Sequence, residues 1–337
     1  MASCVILWLY WHKRKDQIKA RAAKQQKPAA AIPTKDLFKE LLGYAGPFII
    51  VGLATSLYQI VDMFTFERAM TDIGASESVW QTAYSAFNFY GHKLVVIPGT
   101  IATGLSLAML PALTKSFTEN NRKQVFQQIN QSLQIIFVLV IPAAVGLTVL
   151  SDVAYGALYG MTNLDITGNI LAWYAPVALF FSLFTVTASI LQGINQQRFT
   201  VVSLGAGLLL KILFNVFLIH TFGAKGAVFG TAIAAITAVM LNLWRIKTAI
   251  GFPFKPLIKR AALVLIFSTV MTVVIFILKW LVGMFVDYEA SRSGAVIMLV
   301  IGVAIGGGIY LWLGYASTLL ERTLGNRIKV LDRIFKR

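Results

Sequence analysis

Residues 90–117 read YGHKLVVIPGTIATGLSLAMLPALTKSF. From Leu94 to Thr114 this stretch is almost wholly apolar, and as a helix it rises about 31 Å at ~1.5 Å per residue, enough to cross a ~30 Å hydrocarbon core. It opens on His92 and Lys93 and closes on Lys115. A membrane span with two ionisable groups at one end and one at the other raises the question of what those groups meet.

The rest of the chain shares the apolar character. Of 337 residues, 57% are hydrophobic and 13% charged, against about a quarter charged in soluble domains, and the mean hydropathy is +0.73. Apolar stretches of spanning length occur at about 41–66, 84–113, 127–150, 169–193, 199–221, 226–247, 261–283 and 294–316. They read as helices, because an open strand leaves its backbone unsatisfied in lipid. Pro47, Pro98, Pro142 and Pro176 fall inside spans, where membrane helices tolerate proline as a kink. The expected fold is therefore all-α and polytopic, with eight full transmembrane helices. Cys4 is the one cysteine, which excludes an internal disulfide, and no zinc-type Cys/His spacing is present. No cofactor is implied.

Lysine and arginine set the orientation. With the start of the first full span in the cytoplasm, 24 of the 30 lysines and arginines fall in the segments 12–40, 114–126, 194–198, 245–260 and 317–337. The opposite side holds Arg68, Lys225, Lys279 and Arg292 against seven acids. The net charge of +16 is thus a topology signal, with anionic membrane lipids rather than nucleic acid as its partner. The linker and the C-terminus are expected in the cytoplasm, in a multi-pass protein of the cell membrane.

Residues 1–11, MASCVILWLYW, are apolar over half a span and are followed at once by HKRK. A signal peptide has the reverse order, charge before the apolar run. The expectation is the remnant of a transmembrane helix, the beginning of which is missing. Residues 12–40 form a basic, then Ala/Pro-rich linker with an amphipathic end. In 317–337, Leu320, Leu324, Ile328, Leu331 and Phe335 recur at helical steps, with Arg322, Arg327, Lys329, Arg333 and Lys336 at other positions, the pattern of an amphipathic helix on an anionic leaflet.

No HExxH, Walker A or CxxC motif is present, so the expected protein is not an enzyme. The nearest approach to a nucleophile elbow is GLSLA at 104–108, but it lies inside a span, and Ser106 reads as helix packing. Gly226/Gly230 and Gly302/Gly306 have the spacing of close helix contacts. The ionisable residues at membrane depth remain, and these are costly there. Lys211 lies mid-span, too far from either end to snorkel, so it faces either a hydrated cavity or a polar partner; Asn215 is one turn along the same face. Lys93 either snorkels to the outer boundary or, with His92, lines the mouth of an outward cavity, because the helix continues through WQTAYSAFNFY. Asp62, 21 residues past Leu41, counts out to the boundary. Two lysines and a histidine without an interior carboxylate suit an anion, so His92, Lys93, Lys211 and Asn215 are the candidate substrate-binding residues.

The order of IPGTIATGLSLAMLPALTKSF, ILQGINQQRF, KILFNVFLI and GAKGAVFGTAIAA resembles consecutive helices of the MurJ/MviN-type lipid II flippases of the multidrug/oligosaccharidyl-lipid/polysaccharide exporter superfamily. The resemblance spans most of 41–316. It implies fourteen helices in two six-helix lobes plus a C-terminal pair. On that map 41–247 is the second lobe, 248–316 the extra pair, and the N-terminal lobe is the missing partner. It also implies alternating-access flipping of a lipid-linked anionic glycan, with the peptidoglycan precursor lipid II the leading cargo. Positions 92 and 93 fall where other members often carry an acidic–arginine pair. The alternatives are a multidrug/cation antiporter of the same superfamily and a polyprenyl-dependent membrane glycosyltransferase, for which DYE at 287–289 is the compact acidic candidate.

The charge asymmetry predicts that a reporter fused after Arg337 is active only in the cytoplasm; activity on the far side of the membrane would invert the topology.

Overall fold

The computed structural model describes residues 34–324 together with 8, 11, 12, 14 and 15. The expected N-terminal remnant, most of the linker and the tail beyond residue 324 lie outside the described residues. The chain divides at Gly46/Pro47 into two compact units. Among the described residues of the first, the Trp8 ring stacks on His12 at 5.4 Å.

Thirteen α-helices are described: α1 Thr34–Gly52, α2 Ala54–Asp72, α3 Glu77–Ser85, α4 Gly91–Thr118, α5 Arg122–Val149, α6 Ser151–Tyr159, α7 Leu164–Tyr174, α8 Val177–Gly193, α9 Gln197–Phe222, α10 Ala224–Ile250, α11 Lys255–Gly283, α12 Arg292–Ala316 and α13 Leu319–Leu324. Between α3 and α4 the chain makes one π-helical stretch, Ala86–Tyr90, so Glu77–Thr118 runs as one continuous rod of 42 residues. Several helices end at a residue of special backbone: Asn120, Asn163, Asn195, Gly223 and Gly251 take positive φ in five of the connections, a conformation open to glycine and tolerated by asparagine.

Seven helical segments among the described residues are long and apolar enough to cross a membrane, against eight expected. The difference lies at 41–66. That stretch is two helices interrupted at Leu53, which sits at φ −89°, ψ 1°, and α2 carries Gln59, Asp62, Glu67 and Arg68.

Three clusters of buried side chains hold the second unit together. One, rich in Leu113, Ile129, Leu133, Ile190 and Leu204, packs α4, α5, α8, α9 and α10 toward the Lys115 end. Another, around Phe66, Phe87, Leu171 and Tyr174, closes the end nearer Lys93. The last joins α11 and α12 to α5 and α6, with Tyr310 Oη donating to the Val138 carbonyl at 2.7 Å, Lys279 pairing with Asp152 at 2.8 Å, and Arg260 bonded to Gln134.

Apolar surface alone cannot drive helices together in lipid, so small residues and interhelical hydrogen bonds carry the association. The contact of α9 with α10 follows that rule. A Cβ at Gly207 would run into the Ala234 carbonyl, one at Gly226 into the Leu218 carbonyl, and one at Gly230 into the Asn215 side chain. The Gly302/Gly306 pair is likewise tight, against Leu150 and Ile275. Gly207→Val should therefore lower stability by about 1–3 kcal/mol through overpacking, whereas Gly205→Val, which meets open space, should be nearly silent. Thermal unfolding of both variants in detergent checks this; equal effects would remove the close-approach account.

Candidate functional site

The buried face of α9 is a stripe of Thr200, Ser203, Leu204, Gly207, Lys211, Asn215 and Ile219 at three- and four-residue steps. Its other faces carry large apolar residues such as Leu209, Leu213 and Phe217. This periodicity turns Lys211 and Asn215 inward, toward α2 and α10. There the Lys211 ammonium donates to Asp62 Oδ2 at 2.6 Å and to Thr231 Oγ1 at 2.5 Å. Asn215 Nδ2 donates to Asp62 Oδ1 at 3.1 Å and to Thr65 Oγ1 at 2.7 Å. Both threonine hydroxyls pass their protons to their own helices, Thr65 to the Val61 carbonyl and Thr231 to the Ala227 carbonyl. The rings of Tyr58 and Phe87 stand 5.9 and 5.7 Å from the ammonium, close enough for cation–π attraction.

Lys211 and Asp62 are 0% and 1% exposed. Of the two environments expected for Lys211, the polar partner is the one found. Asp62 is not at the boundary as expected; it is a buried carboxylate, and the interior does contain one acid. The pair is neutral as a unit, so Lys211 offers no uncompensated charge to the surface.

His92 and Lys93 lie elsewhere, just past the π-helical stretch. The Gly91 N–H bonds the Ala86 carbonyl five residues back, and a Cβ at Gly91 would collide with that same oxygen; glycine is what lets the wide turn close. His92 Nδ1 lies 2.7 Å from Tyr174 Oη. The Tyr174 ring meets Phe87 edge-on at 4.7 Å, so an aromatic chain runs from His92 through Tyr174 and Phe87 to the Lys211 ammonium. Lys93 is exposed, with its ammonium 5.9 Å from the Tyr90 ring, and it joins none of the ion pairs formed among the described residues. The structure thus brings Lys211 and Asn215 together and leaves Lys93 apart from them.

Farther along α4 a cavity of about 360 Å³ lies against the α1–α2 break, α8 and the start of α9. No Asp, Glu, Lys, Arg or His lines it; its polar groups are hydroxyls and amides, among them Tyr58, Thr103, Ser106, Thr185, Gln192 and Gln197. Ser106, expected as packing, forms part of this wall. At the far end of α11 the DYE segment is a turn, in which Asp287 Oδ1 accepts from the Ala290 N–H at 3.0 Å.

Removing one member of a buried ion pair costs about 3–5 kcal/mol because the other charge is stranded. Lys211→Met should destabilise the protein by roughly that amount, and adding Asp62→Asn should recover a large part of it. Chemical or thermal unfolding in micelles measures both; a single variant within ~0.5 kcal/mol of the parent would show that the pair contributes little.

A family model described as lipid II flippase MurJ matches residues 35–291. The lipid II flippase MurJ of Bacillus subtilis is 41% identical over 326 residues, covering 96% of this chain and 60% of the relative. A probable low-salt glycan biosynthesis flippase of Haloferax volcanii, Agl15, is 22% identical over 81% of this chain and 53% of its own. Among solved structures, lipid II flippase MurJ in an inward closed conformation superposes with a TM-score of 0.60 at 22% identity, over 85% of this chain and 55% of that one. A MOP superfamily transporter from Pyrococcus furiosus gives 0.51 at 14% identity. The chain spans somewhat more than half the length of these relatives. With three quarters of its length under the family model and 41% identity to a curated member, this all-helical, multi-pass membrane chain belongs to the lipid II flippase MurJ family.

Proposed function

We propose that the chain supplies one helical lobe, 41–247, and an added helix pair, 248–316, to a transporter that flips a lipid-linked anionic oligosaccharide across the cell membrane by alternating access. The cargo we assign is the peptidoglycan precursor lipid II, as named for the Bacillus subtilis relative. The transport step makes and breaks no covalent bond. The cationic side chain attracts the diphosphate, the glycan passes through a polar interior, the lipid tail stays in the bilayer, and rocking of two lobes exposes the cargo to each side in turn.

The observation that carries this reading is the unequal treatment of Lys93 and Lys211. Lys211 is neutralised by Asp62, whereas Lys93 stands exposed on α4, the helix that also walls an uncharged, hydroxyl-rich cavity. We assign the anion contact to Lys93, with His92 steadied beside it by Tyr174, and give Lys211 and Asn215 a supporting part behind them through Phe87 and Tyr58. A cation antiporter needs an acid open to its substrate, and the buried Asp62 is already matched. The inner surface of the transporter is taken to be the Lys115 end, in keeping with the basic loops, and the interrupted α1–α2 segment is assigned to the first span of the lobe.

A flipping assay for the lipid-linked precursor, on complete transporter normalised for membrane abundance, tests the assignment. Lys93→Glu should lower the rate at least tenfold and Lys93→Arg should be nearly silent, because the position supplies charge more than a bidentate fork. Full activity of Lys93→Glu would end the anion-contact reading.

A further inference from the structure

The loops at the Lys115 end carry more positive charge than their own acids neutralise. Residues 114–126 and 245–260 hold three and five lysines and arginines, against Glu119 as the one acid. Lys115 takes Glu119 at 3.9 Å, while Arg245 is turned onto Gln196 and Arg260 onto Gln134. Of the five that remain, four are exposed lysines. The fifth, Arg122, joins none of the ion pairs formed among the described residues, yet it is held in one place.

Two turns build that place. Asn120, at φ 55°, reverses the backbone after α4, Asn121 caps α5 by accepting from the Gln124 N–H at 3.2 Å, and Arg122 opens the helix. From the other side α10 stops at Gly251, at φ 69°. A Cβ there would stand 3.0 Å from Arg122 Nη2, so glycine leaves room for the guanidinium. Nη2 donates to the Ile250 carbonyl at 3.0 Å, and the guanidinium carbon lies 5.1 Å from the centre of the Phe126 ring, within cation–π range. Phe126 in turn meets the buried Phe252 edge-on at 5.4 Å. A guanidinium carries five N–H donors, and this single bond leaves the rest without a protein acceptor among the described residues.

Arg122 lines a cavity of about 380 Å³ whose other walls are Asn120 and apolar side chains, among them Phe117, Phe126 and Ala249. No carboxylate lines it. One cation on an apolar wall favours an anion that brings its own apolar part. A free phosphate would give up hydration for a single arginine, whereas an amphiphile also buries hydrocarbon against the half-buried rings of Phe117 and Phe126. The guanidinium fork matches phosphate oxygens. The cavity also sits where the apolar lengths of α4 and α10 give way to basic loops, the level at which anionic headgroups attract such segments.

We propose that this cavity binds the phosphate of an anionic glycerophospholipid of the inner leaflet, with the glycerol and first acyl carbons on the phenylalanine wall. Bound there, the lipid ties the first turn of α5 to the end of α10, beside the connection that leads into α11. The choice of leaflet rests on reading the Lys115 end as the inner surface; the chemistry of the site does not.

Dihexanoyl phosphatidylglycerol, dihexanoyl phosphatidylcholine and inorganic phosphate, titrated against the purified full chain in micelles, test the site by native mass spectrometry and by the shift in thermal unfolding. The parent should take phosphatidylglycerol about tenfold more tightly than either other probe, the worth of one charge-assisted hydrogen bond. Arg122→Gln should erase the preference over phosphatidylcholine, and Arg122→Lys should keep part of it, because the charge stays while the fork is lost. Ala249→Trp fills the exposed rim and keeps the arginine, so it should weaken phosphatidylglycerol and leave inorganic phosphate unchanged, whether or not Arg122→Gln folds. Lys259→Gln removes the same charge from an exposed position outside the cavity and should change affinity by less than about twofold. Equal losses in Lys259→Gln and Arg122→Gln would leave only a diffuse basic surface and overturn the site. Inorganic phosphate bound as tightly as phosphatidylglycerol would overturn the lipid as occupant, and a parent indifferent to the lipid's charge would overturn both. A reporter that placed Arg337 outside would overturn the leaflet assignment and leave the binding results intact.

Discussion

A lysine ammonium and an aspartate carboxylate 2.6 Å apart, both wholly enclosed among α2, α9 and α10, are the constraint around which these helices are arranged. Neither charge is tolerable there alone. To keep them together, α2, α9 and α10 must meet at one point and in one register, with Asn215 and the two threonines using the remaining hydrogen-bonding capacity. The glycines at 207, 226 and 230 then become obligatory, because α10 has to come close enough for Thr231 to reach Lys211. A second polar knot, Ser203 to Asn242 at 2.6 Å and Asn242 to Thr187 at 3.1 Å, repeats the arrangement among α9, α10 and α8. Such contacts contribute modestly to stability in lipid but discriminate strongly among alternative packings, since any slip of register strands a polar group.

Against this neutral centre the surface charges take on distinct meanings. Lys279 is tied to Asp152, fastening α11 to α6, and Arg292 reaches the Ala157 carbonyl at 3.1 Å from the start of α12. These two cations fasten α11 and α12 to α6. Lys93 has no such task among the described residues, which is why the same residue type supports different roles at different depths and with different neighbours.

Much of the scaffold was legible in the amino-acid order. Hydropathy located seven of the spans, the one-turn step placed Lys211 and Asn215 on one face of α9, and the glycine pairs marked close contacts. Asp62 was misplaced for a geometric reason. Counting outward from Leu41 assumes one continuous helix, whereas the break at Leu53 restarts the helix at Ala54, so Asp62 falls in its third turn, about 12 Å along. Its partner is 149 positions away, and no local spacing rule links them. Ser106 was hidden differently: a serine inside a helix commonly bonds the carbonyl one turn back, and only the opposing helices reveal that this one does not. The alternative acid candidates at 287–289 could be weighed only when the turn hydrogen bond was seen.

The continuous rod from Glu77 to Thr118 has a mechanical consequence. Its 42 residues measure about 63 Å, roughly twice the ~30 Å thickness of the hydrocarbon, so about half of it lies beyond the apolar slab. A body of that length acts as a lever: tilting it by ~10° about its midpoint moves each tip by about 5 Å. Because residues 93 to 107 all belong to this one helix, their spacing along it stays fixed under any tilt, and motion of the helix is expressed at its tips.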